Sequence, residues 1–241
     1  MIRSMPDYSV TGDGPVTLFL LHGAFGAKEY WRNQLQQFSD RGLRIVAWDA
    51  PGYGVSPLPD GFTVEAAAES LTRLIAREKT QTNLVLGHSM GGMVAIRAYG
   101  MMPEPIDALI LSATSAAFGR PDGDWQAEFV RARVAPLDAG QQIPDFAPKM
   151  LAAMFAPGAA HPATGLVIDV VGQMRPETFR AAVQAISQFD AREVLPQITV
   201  PVLCIAGGHD HAAAPPKVME KLATKIAGGE YLCMDHIGHF G

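Results

Sequence analysis

Short runs of apolar, β-branched residues alternate along the chain with longer stretches whose apolar residues recur at helical spacing. The short runs are nearly continuous in apolar character, which is typical of parallel strands covered on both faces. The longer stretches include one that begins after Thr63, a good helix-capping residue. Alternation of this kind predicts a mostly parallel sheet with helices on both faces. The predicted strands are residues 16–21, 44–48, 83–86, 108–111, 200–206 and 230–234, and the predicted helices are 64–77, 90–101 and 217–226.

The alternation stops between residues 115 and 195. Seven prolines punctuate this segment, and no strand pattern is present. Because the segment is too long for a plain connection, we interpret it as a helical cap inserted into an α/β core made of residues 1–114 and 196–241. Its predicted helices are residues 125–133, 146–155 and 176–188.

Composition restricts the function without defining it. A chain of 241 residues that is 48% hydrophobic can bury one large core. The net charge of −5 and the lack of a basic run argue against nucleic-acid binding, and no apolar stretch reaches membrane-spanning length. Cys204 and Cys233 lie in apolar stretches, which predicts buried, reduced thiols. We therefore expect a cytoplasmic protein with no nucleic-acid or membrane partner.

The strongest chemical motif is Gly87-His88-Ser89-Met90-Gly91-Gly92, which lies between a predicted strand and a predicted helix. A sharp strand-to-helix turn exposes a serine hydroxyl on a strained backbone. Glycines on either side of the serine avoid a clash where the strand and the helix cross closely. The start of the helix favours negative charge. The motif therefore predicts that Ser89 is a nucleophile and that the N–H of Met90 stabilises an oxyanion.

A serine nucleophile needs a base within hydrogen-bond reach and an acid that orients the base. On a sheet of this kind the expected chain order is serine, acid, histidine. Two histidines follow the last predicted strand, His236 and His239. We favour His239, because the preceding Gly238 would let the imidazole swing onto Ser89.

Two carboxylates compete for the role of the acid. Asp210 comes directly after the predicted strand that ends at residue 206, where a carboxylate can reach the distal nitrogen of the imidazole. Asp235 is the rival and lies only four residues before His239. The loop at residues 112–115 offers no carboxylate. We favour Asp210.

A glycine-rich turn, residues 22–26, closes the first strand and can present a second oxyanion donor. We assign this donor to the N–H of Ala24, with Phe25 as the alternative. His22 is interpreted as a structural residue that ties loops together beneath the site. Phe25 and Met90 are expected to present apolar walls to an acyl group.

Two other chemistries fit parts of this sequence less well than a triad. Residues 49–56 resemble a phosphate-binding glycine loop only superficially, because Pro57 stands where the third glycine would be. The histidines at 209, 211, 236 and 239 could ligate a metal, but neither a His-Glu-x-x-His motif nor a cysteine ligand set is present. A triad explains more of the same residues, so we do not expect a metal site.

Five motifs together resemble those of the α/β-hydrolase superfamily, in the right order and over nearly the whole chain. Within the superfamily the chain is similar to small single-cap esterases, 3-oxoadipate enol-lactonases and pimeloyl-carrier carboxylesterases. The resemblance implies an eight-stranded mixed sheet, no cofactor, and oxyanion positions at Ala24 and Met90. The family also has a helix after the position of His239, where this sequence shows none. The motifs are His22-Gly23, Asp49-x-Pro51-Gly52-x-Gly54-x-Ser56, the serine motif, Gly207-x-x-Asp210 and Gly238-His239.

The predicted function is hydrolysis of a small ester, thioester or lactone through an acyl-enzyme on Ser89. Dehalogenases and epoxide hydrolases of this fold carry an aspartate at that position, so their chemistries are disfavoured. The same triad would also serve a C–C bond hydrolase, a perhydrolase or an acyltransferase, and a chain that kept only the pocket would be a ligand-binding protein. Specificity is expected in the cap, with candidate pocket residues Phe25, Trp125, Phe129, Met150 and Met154.

Overall fold

The computed structural model describes residues 4–39, 41–119, 124–159, 162–211 and 213–240. The strands of this part of the chain are β1 (Tyr8–Thr11), β2 (Val16–Leu21), β3 (Leu43–Trp48), β4 (Thr82–His88), β5 (Ala108–Ser112), β6 (Val202–Gly207) and β7 (Glu230–Met234). They form one sheet in the order β1-β3-β2-β4-β5-β6-β7. Only the edge strand β1 is antiparallel to its neighbour.

The helices connect these strands and fill one long insertion. They are α1 (Arg32–Ser39), α2 (Val64–Glu78), α3 (Met90–Met101), α4 (Trp125–Asp138), α5 (Ile143–Ala152), α6 (Pro162–Gly172), α7 (Pro176–Ser187) and α8 (Pro216–Ala223), with short 3-10 helices at Lys28–Trp31 and Leu195–Gln197. The four helices α4 to α7 lie between β5 and β6. Within the described residues, no helix combines the length and the apolar character needed to cross a bilayer.

The core lies on both faces of the sheet, because successive side chains of a strand point to opposite sides. In β2, Phe19 and Leu21 pack into the cluster that includes the apolar faces of α2 and α3. Leu18 and Leu20 pack on the other side, with Tyr30 and with other residues of the 3-10 helix and of β3. Such two-sided burial explains why the central strands read as continuous apolar runs.

The inserted helices bury an apolar cluster of their own. Residues of α5, α6 and α7 form its centre, and partly buried residues of α4 pack against it. The insertion is also tied to the sheet edge by hydrogen bonds. Arg175 donates to the carbonyl oxygens of Gly52 and Ser56, at 2.5 and 2.9 Å, and Thr178 donates to the Gly52 oxygen at 2.6 Å.

The predicted α/β class is confirmed, and all six predicted strands are present with ends shifted by no more than a few residues. The resemblance implied eight strands, whereas the described residues form seven. The sequence did not predict β1, α1 or α6, and α5 begins at Ile143 instead of residue 146. Cys204 is buried as predicted, but Cys233 is only half-buried because β7 is the other edge strand; both are free thiols.

Strand register brings the functional loops to one edge of the sheet. Leu21 at the end of β2 is paired with Gly87 near the end of β4, and Gly207 at the end of β6 is paired with Met234 at the end of β7. Since all these strands are parallel, the loops that follow them open on the same side. The serine, acid and histidine motifs all occur in these loops.

Candidate active site

Ser89 occupies the sharp turn between β4 and α3 with φ 53° and ψ −120°, a region that L-residues rarely adopt. Its N–H donates to the Ser112 carbonyl at 2.9 Å. Its own carbonyl oxygen accepts a 2.6 Å bond from the Thr114 hydroxyl and a 2.9 Å bond from the Gly92 N–H. These bonds hold a backbone conformation that costs about 1–3 kcal/mol by itself. The predicted strained turn is present.

The glycines around Ser89 are required by space. A Cβ atom on Gly87 would lie 2.4 Å from the Gly91 carbonyl oxygen, and one on Gly91 would lie 2.3 Å from the Leu21 carbonyl oxygen. Both distances are far below van der Waals contact with backbone atoms that cannot move aside. The spacing of the motif therefore follows from how closely β4, α3 and the end of β2 approach one another.

Asp210 and His239 are in direct contact. His239 Nδ1 lies 2.7 Å from Asp210 Oδ2, and both side chains are buried. The N–H groups of Ala213 and Ala214 donate to the two carboxylate oxygens at 3.0 and 3.1 Å. Burial by itself raises the pKa of Asp210, but the hydrogen bond and charge of His239 and these two N–H groups outweigh it, so the pKa is lowered. Asp210 is therefore an ionised partner for the imidazole.

The rival residues do not share this arrangement. Asp235 and His236 are both exposed in the turn that follows β7. His239 instead lies beside the serine turn, where its ring centroid is 4.8 Å from that of His88. The Ser89 hydroxyl makes no hydrogen bond with any described residue. Of the three side chains, only His239 and Asp210 are therefore joined by a hydrogen bond in this structure. Catalytic hydrogen bonds are often long in unliganded enzymes.

Gly238 has a different role from the one that the sequence suggested. We expected it to give the imidazole freedom to swing. A Cβ at this position would instead lie 2.4 Å from the Met154 carbonyl oxygen and 2.7 Å from the Phe155 carbonyl carbon. The same close packing explains Gly207, whose Cβ would lie 1.9 Å from the Gly238 oxygen. Glycine is needed here for close approach and fixes the histidine loop in place.

The loop after β2 lies against Ser89. A Cβ on Gly23 would be 3.0 Å from the Ser89 Cβ. The Tyr53 hydroxyl donates to the Ala24 carbonyl oxygen at 2.9 Å, which fixes the peptide that links Ala24 to Phe25. Among the described residues, none accepts a hydrogen bond from the N–H of Ala24, Phe25 or Met90. Free N–H groups beside a serine are what an oxyanion site requires, and the alternative between Ala24 and Phe25 stays open.

His22 is a buried structural residue, as predicted. Its Nδ1 donates to the Gly23 carbonyl oxygen at 2.8 Å, and its Nε2 accepts from the Ala50 N–H at 3.0 Å. Both ring nitrogens are therefore used to join two loops. Burial lowers the pKa of His22 below its ordinary value, which keeps the ring neutral.

The loop at residues 49–56 is also structural. Asp49 is fully buried, accepts from the Lys28 N–H at 2.8 Å and pairs with Lys28 Nζ at 2.6 Å. Gly54 has φ 49°, and a Cβ there would lie 2.2 Å from Asp49 Oδ2. The N–H groups of Ala50, Gly52, Tyr53 and Ser56 all donate to acceptors within the protein, which agrees with the interpretation of the loop as a turn.

The five candidate pocket residues make two sets of packing contacts, and Phe129 takes part in both. Trp125 and Phe129 pack with Phe118, at ring-centroid distances of 4.8 and 4.6 Å, and Trp125 remains 48% exposed. Phe25 stacks on Phe179 of α7 at 5.3 Å. Phe25, Phe129, Met150 and Met154 all belong to the apolar cluster of the insertion. All five residues therefore make packing contacts, with Met154 buried and Phe25, Phe129 and Met150 half-buried.

Three polar residues near Ser89 were not identified from the sequence: Tyr30, His88 and Thr114. Each of them forms hydrogen bonds with residues far away in the chain. The Thr114 hydroxyl, for example, donates to the Ser89 carbonyl oxygen. The one available signal was the polar character of His88, which directly follows the apolar run of β4 and Gly87.

A family model for the alpha/beta hydrolase fold matches residues 16–241, and the chain therefore belongs to this family. A pimeloyl-acyl-carrier-protein methyl ester esterase from Neisseria meningitidis serogroup C is 29% identical over 98% of this chain and 89% of that protein. The 3-oxoadipate enol-lactonase 2 of Acinetobacter baylyi is 24% identical over 97% of this chain and 82% of that protein. The structure of an esterase from Exiguobacterium antarcticum has a TM-score of 0.86 and 25% identity, covering 96% of this chain and 87% of that one. The protein is a hydrolase of the carboxylesterase and lactonase type.

Proposed function

We propose that the protein hydrolyses small carboxylic esters, thioesters or lactones through an acyl-enzyme on Ser89. The 2.7 Å contact between Asp210 Oδ2 and His239 Nδ1 carries the proposal. An ionised carboxylate can only accept, so Nδ1 holds a proton, and in the neutral ring Nε2 then keeps its lone pair. The imidazole is thereby set to accept the Ser89 proton through Nε2.

The reaction then has two halves. The Ser89 oxygen attacks the carbonyl carbon while its proton passes to His239, and the carbonyl electrons move onto oxygen. Collapse of this intermediate breaks the bond to the leaving group, which takes the proton from His239. Water repeats the sequence, giving its proton to His239 and its oxygen to the acyl group, and frees Ser89. Asp210 stabilises the imidazolium that forms in each half.

The oxyanion is assigned to the N–H groups of Ala24 and Met90. Met90 is the first residue of α3, so the positive end of the helix dipole adds to its hydrogen bond. The Tyr53 contact with the Ala24 carbonyl supports a preorganised loop on the other side. Donors that are already in place stabilise developing charge without reorganisation.

Residues 115–195 are assigned as a cap over this site. The Met154 carbonyl, just after α5, accepts the His239 N–H at 2.7 Å, so the insertion touches the base directly. The apolar side chains of Phe25, Phe129 and Met150, which are only half-buried, suit an acyl chain with little charge. The ester and lactone substrates in the names of the relatives are of this carbonyl class.

Replacement of the nucleophile tests the proposal. Ser89→Ala is expected to lower kcat/KM for p-nitrophenyl acetate and butyrate by several orders of magnitude with the fold retained. Ser9→Ala on the edge strand β1 is the matched control and should be as active as the wild type. A fluorophosphonate should label the wild type and not Ser89→Ala. Undiminished turnover by Ser89→Ala would refute the proposal.

The same reagents separate the alternatives. A labelled but esterase-inactive protein would be tested for C–C bond hydrolysis of a diketone, for perhydrolysis and for acyl transfer, which use the same three side chains. A protein that neither labels nor turns over any of these substrates would be a ligand-binding member of the family.

A further inference from the structure

His88 precedes the proposed nucleophile and is buried at the end of β4. Both of its ring nitrogens have partners from distant parts of the chain. Nδ1 lies 3.0 Å from the hydroxyl of Tyr30, and Nε2 lies 2.9 Å from the carbonyl oxygen of His239. The Tyr30 oxygen in turn accepts the Gly23 N–H at 2.7 Å. Nothing in the proposed reaction uses these groups directly.

The direction of every bond in this series is determined by its ends. The carbonyl oxygen of His239 can only accept, so His88 Nε2 carries the proton and donates. His88 Nδ1 is then an acceptor, and the Tyr30 hydroxyl must donate to it. The Tyr30 oxygen uses a lone pair to accept from Gly23. The result is a one-way series from Gly23 through Tyr30 and His88 to His239.

This series joins the two loops that the proposed reaction needs. Gly23 directly precedes the proposed oxyanion donor Ala24, and His239 is the proposed base. At the base, the N–H donates to Met154, the carbonyl oxygen accepts from His88, and the imidazole binds Asp210. His239 is therefore held at its backbone on both sides as well as at its ring.

We propose that neutral His88 is a positioning residue, which holds the oxyanion loop and the base loop at fixed places relative to Ser89. The inference rests on the proposed function of Ser89 and His239. A protonated His88 would present a second donor to the Tyr30 hydroxyl and break the series at its centre. His88 touches no reacting atom and acts through Tyr30 and His239.

The surroundings of His88 keep it neutral. Burial lowers its pKa to about 3, and the nearby His239 and His22 act in the same direction, against the hydrogen bond to the His239 carbonyl and the charge of Asp210. Burial raises the pKa of Tyr30, so its hydroxyl keeps the proton that it donates. The Phe240 ring, at 5.2 Å, adds an apolar contact and no competing charge.

Substitutions at His88 separate positioning from packing. His88→Phe fills the space of the imidazole without either nitrogen. The measured quantity is kcat for p-nitrophenyl butyrate, divided by the number of active sites counted by fluorophosphonate labelling. We expect it to fall about tenfold, which corresponds to about 1.4 kcal/mol in the activation free energy. KM should change little, because no acyl contact is removed. His88→Gln should restore most of the loss, because its amide can accept through Oε1 and donate through Nε2.

Tyr30→Phe interrupts the same series at a different point. It should lower kcat per labelled site to a similar extent, and the double variant with His88→Phe should be little worse than either single variant. Tyr99→Phe is the matched control. Tyr99 is also a buried tyrosine whose hydroxyl is hydrogen-bonded, to Thr199 at 3.2 Å, but it lies ten residues along α3, about 15 Å from Ser89. Its kcat should equal that of the wild type.

The outcomes are distinguishable. If His88→Phe and Tyr30→Phe lower the melting temperature but keep the wild-type kcat per labelled site, His88 is a packing residue and the inference is overturned. If His88→Phe does not fold, Tyr30→Phe and His88→Gln decide the question in the same assay. Activity retained by Ser89→Ala would overturn the proposed function itself, whereas an inactive Ser89→Ala beside a fully active His88→Phe would overturn only this inference.

Discussion

The carbonyl oxygen of Met154, two residues after α5, accepts a 2.7 Å hydrogen bond from the backbone N–H of His239. The bond joins the helical insertion to the residue that we propose as the catalytic base. The insertion therefore does more than cover the sheet edge, because any displacement of the end of α5 would also move the histidine loop. Orientation of the base and placement of the insertion are coupled through this contact.

Gly238→Ala tests that coupling. The added Cβ would lie 2.4 Å from the Met154 oxygen, so the histidine loop and the insertion must separate. We expect a loss of about 1–3 kcal/mol in the free energy of unfolding, as overpacking usually costs, together with a lower kcat. Urea unfolding and ester hydrolysis measure the two effects.

Gly165→Ala provides the control for this variant. Gly165 lies within α6, and a Cβ there meets no atom within 4 Å. Because alanine favours a helix over glycine by about 0.5–1 kcal/mol, this variant should be as stable as the wild type or more stable, with unchanged kcat. If Gly238→Ala and Gly165→Ala had the same stability and the same kcat, the contact with Met154 would have no influence on the position of His239.

Asp210→Asn tests the assignment of the acid. An amide in place of the carboxylate no longer stabilises the imidazolium and allows the wrong tautomer of His239, so kcat is expected to fall by about three to four orders of magnitude. Asp235→Asn changes the rival carboxylate, which is exposed, and should leave kcat unchanged. A larger loss in Asp235→Asn than in Asp210→Asn would reverse the assignment.

The sequence was informative where local rules and final structure agree. The serine motif predicted the turn because glycine spacing and flanking periodicity both describe a close strand–helix crossing, and α3 begins and ends at the predicted residues, Met90 and Met101. The contact between Asp210 and His239 followed from chain order on a parallel sheet. Each of these features depends on short-range pattern together with one topological rule.

The features that the sequence did not predict depend on long-range packing. β1 has no continuous apolar run because it is an edge strand with a single antiparallel partner, and Val10 is exposed. α6 is rich in β-branched residues, which are weak helix formers, and its packing against α5 and against the 3-10 helix at Lys28–Trp31 stabilises it. The role of Gly238 could not be read from a turn rule, since the atoms it avoids belong to residues 154–156.

Acid should destabilise the protein through its buried histidines. The folded state keeps His88 neutral down to a pKa of about 3, whereas the unfolded chain takes up a proton near 6.5, and the pKa of His22 is lowered in the same direction. The unfolded state therefore binds more protons between these values, and the free energy of unfolding falls as the pH drops below about 6.5. Asp210 acts in the same sense, but only below its unfolded value of 3.8.

Urea unfolding at several pH values between about 7 and 4.5 checks this expectation. His88→Gln removes one of the buried titratable groups and should give a shallower decrease than the wild type. His236→Gln removes an exposed histidine and should give the wild-type slope. If the free energy of unfolding of His88→Gln decreased with falling pH as steeply as that of the wild type, the buried, neutral state of His88 would be contradicted.

The strain at Ser89 predicts an unusual order of stabilities among inactive variants. In most positions alanine is more stabilising than glycine, because glycine loses more backbone entropy on folding. At Ser89, φ is 53° and ψ is −120°, so any Cβ is disfavoured and only glycine adopts the conformation without strain. Ser89→Gly should therefore unfold at a higher urea concentration than Ser89→Ala, by about 1 kcal/mol in the free energy of unfolding.

Gly165→Ala is the control for this comparison. At this unstrained helical site the alanine variant should be more stable than the wild-type protein with glycine. If Ser89→Ala proved the more stable of the two Ser89 variants, the turn would hold no strain, and the hydrogen bonds from Thr114 and to Ser112 would not be needed to hold the serine in position.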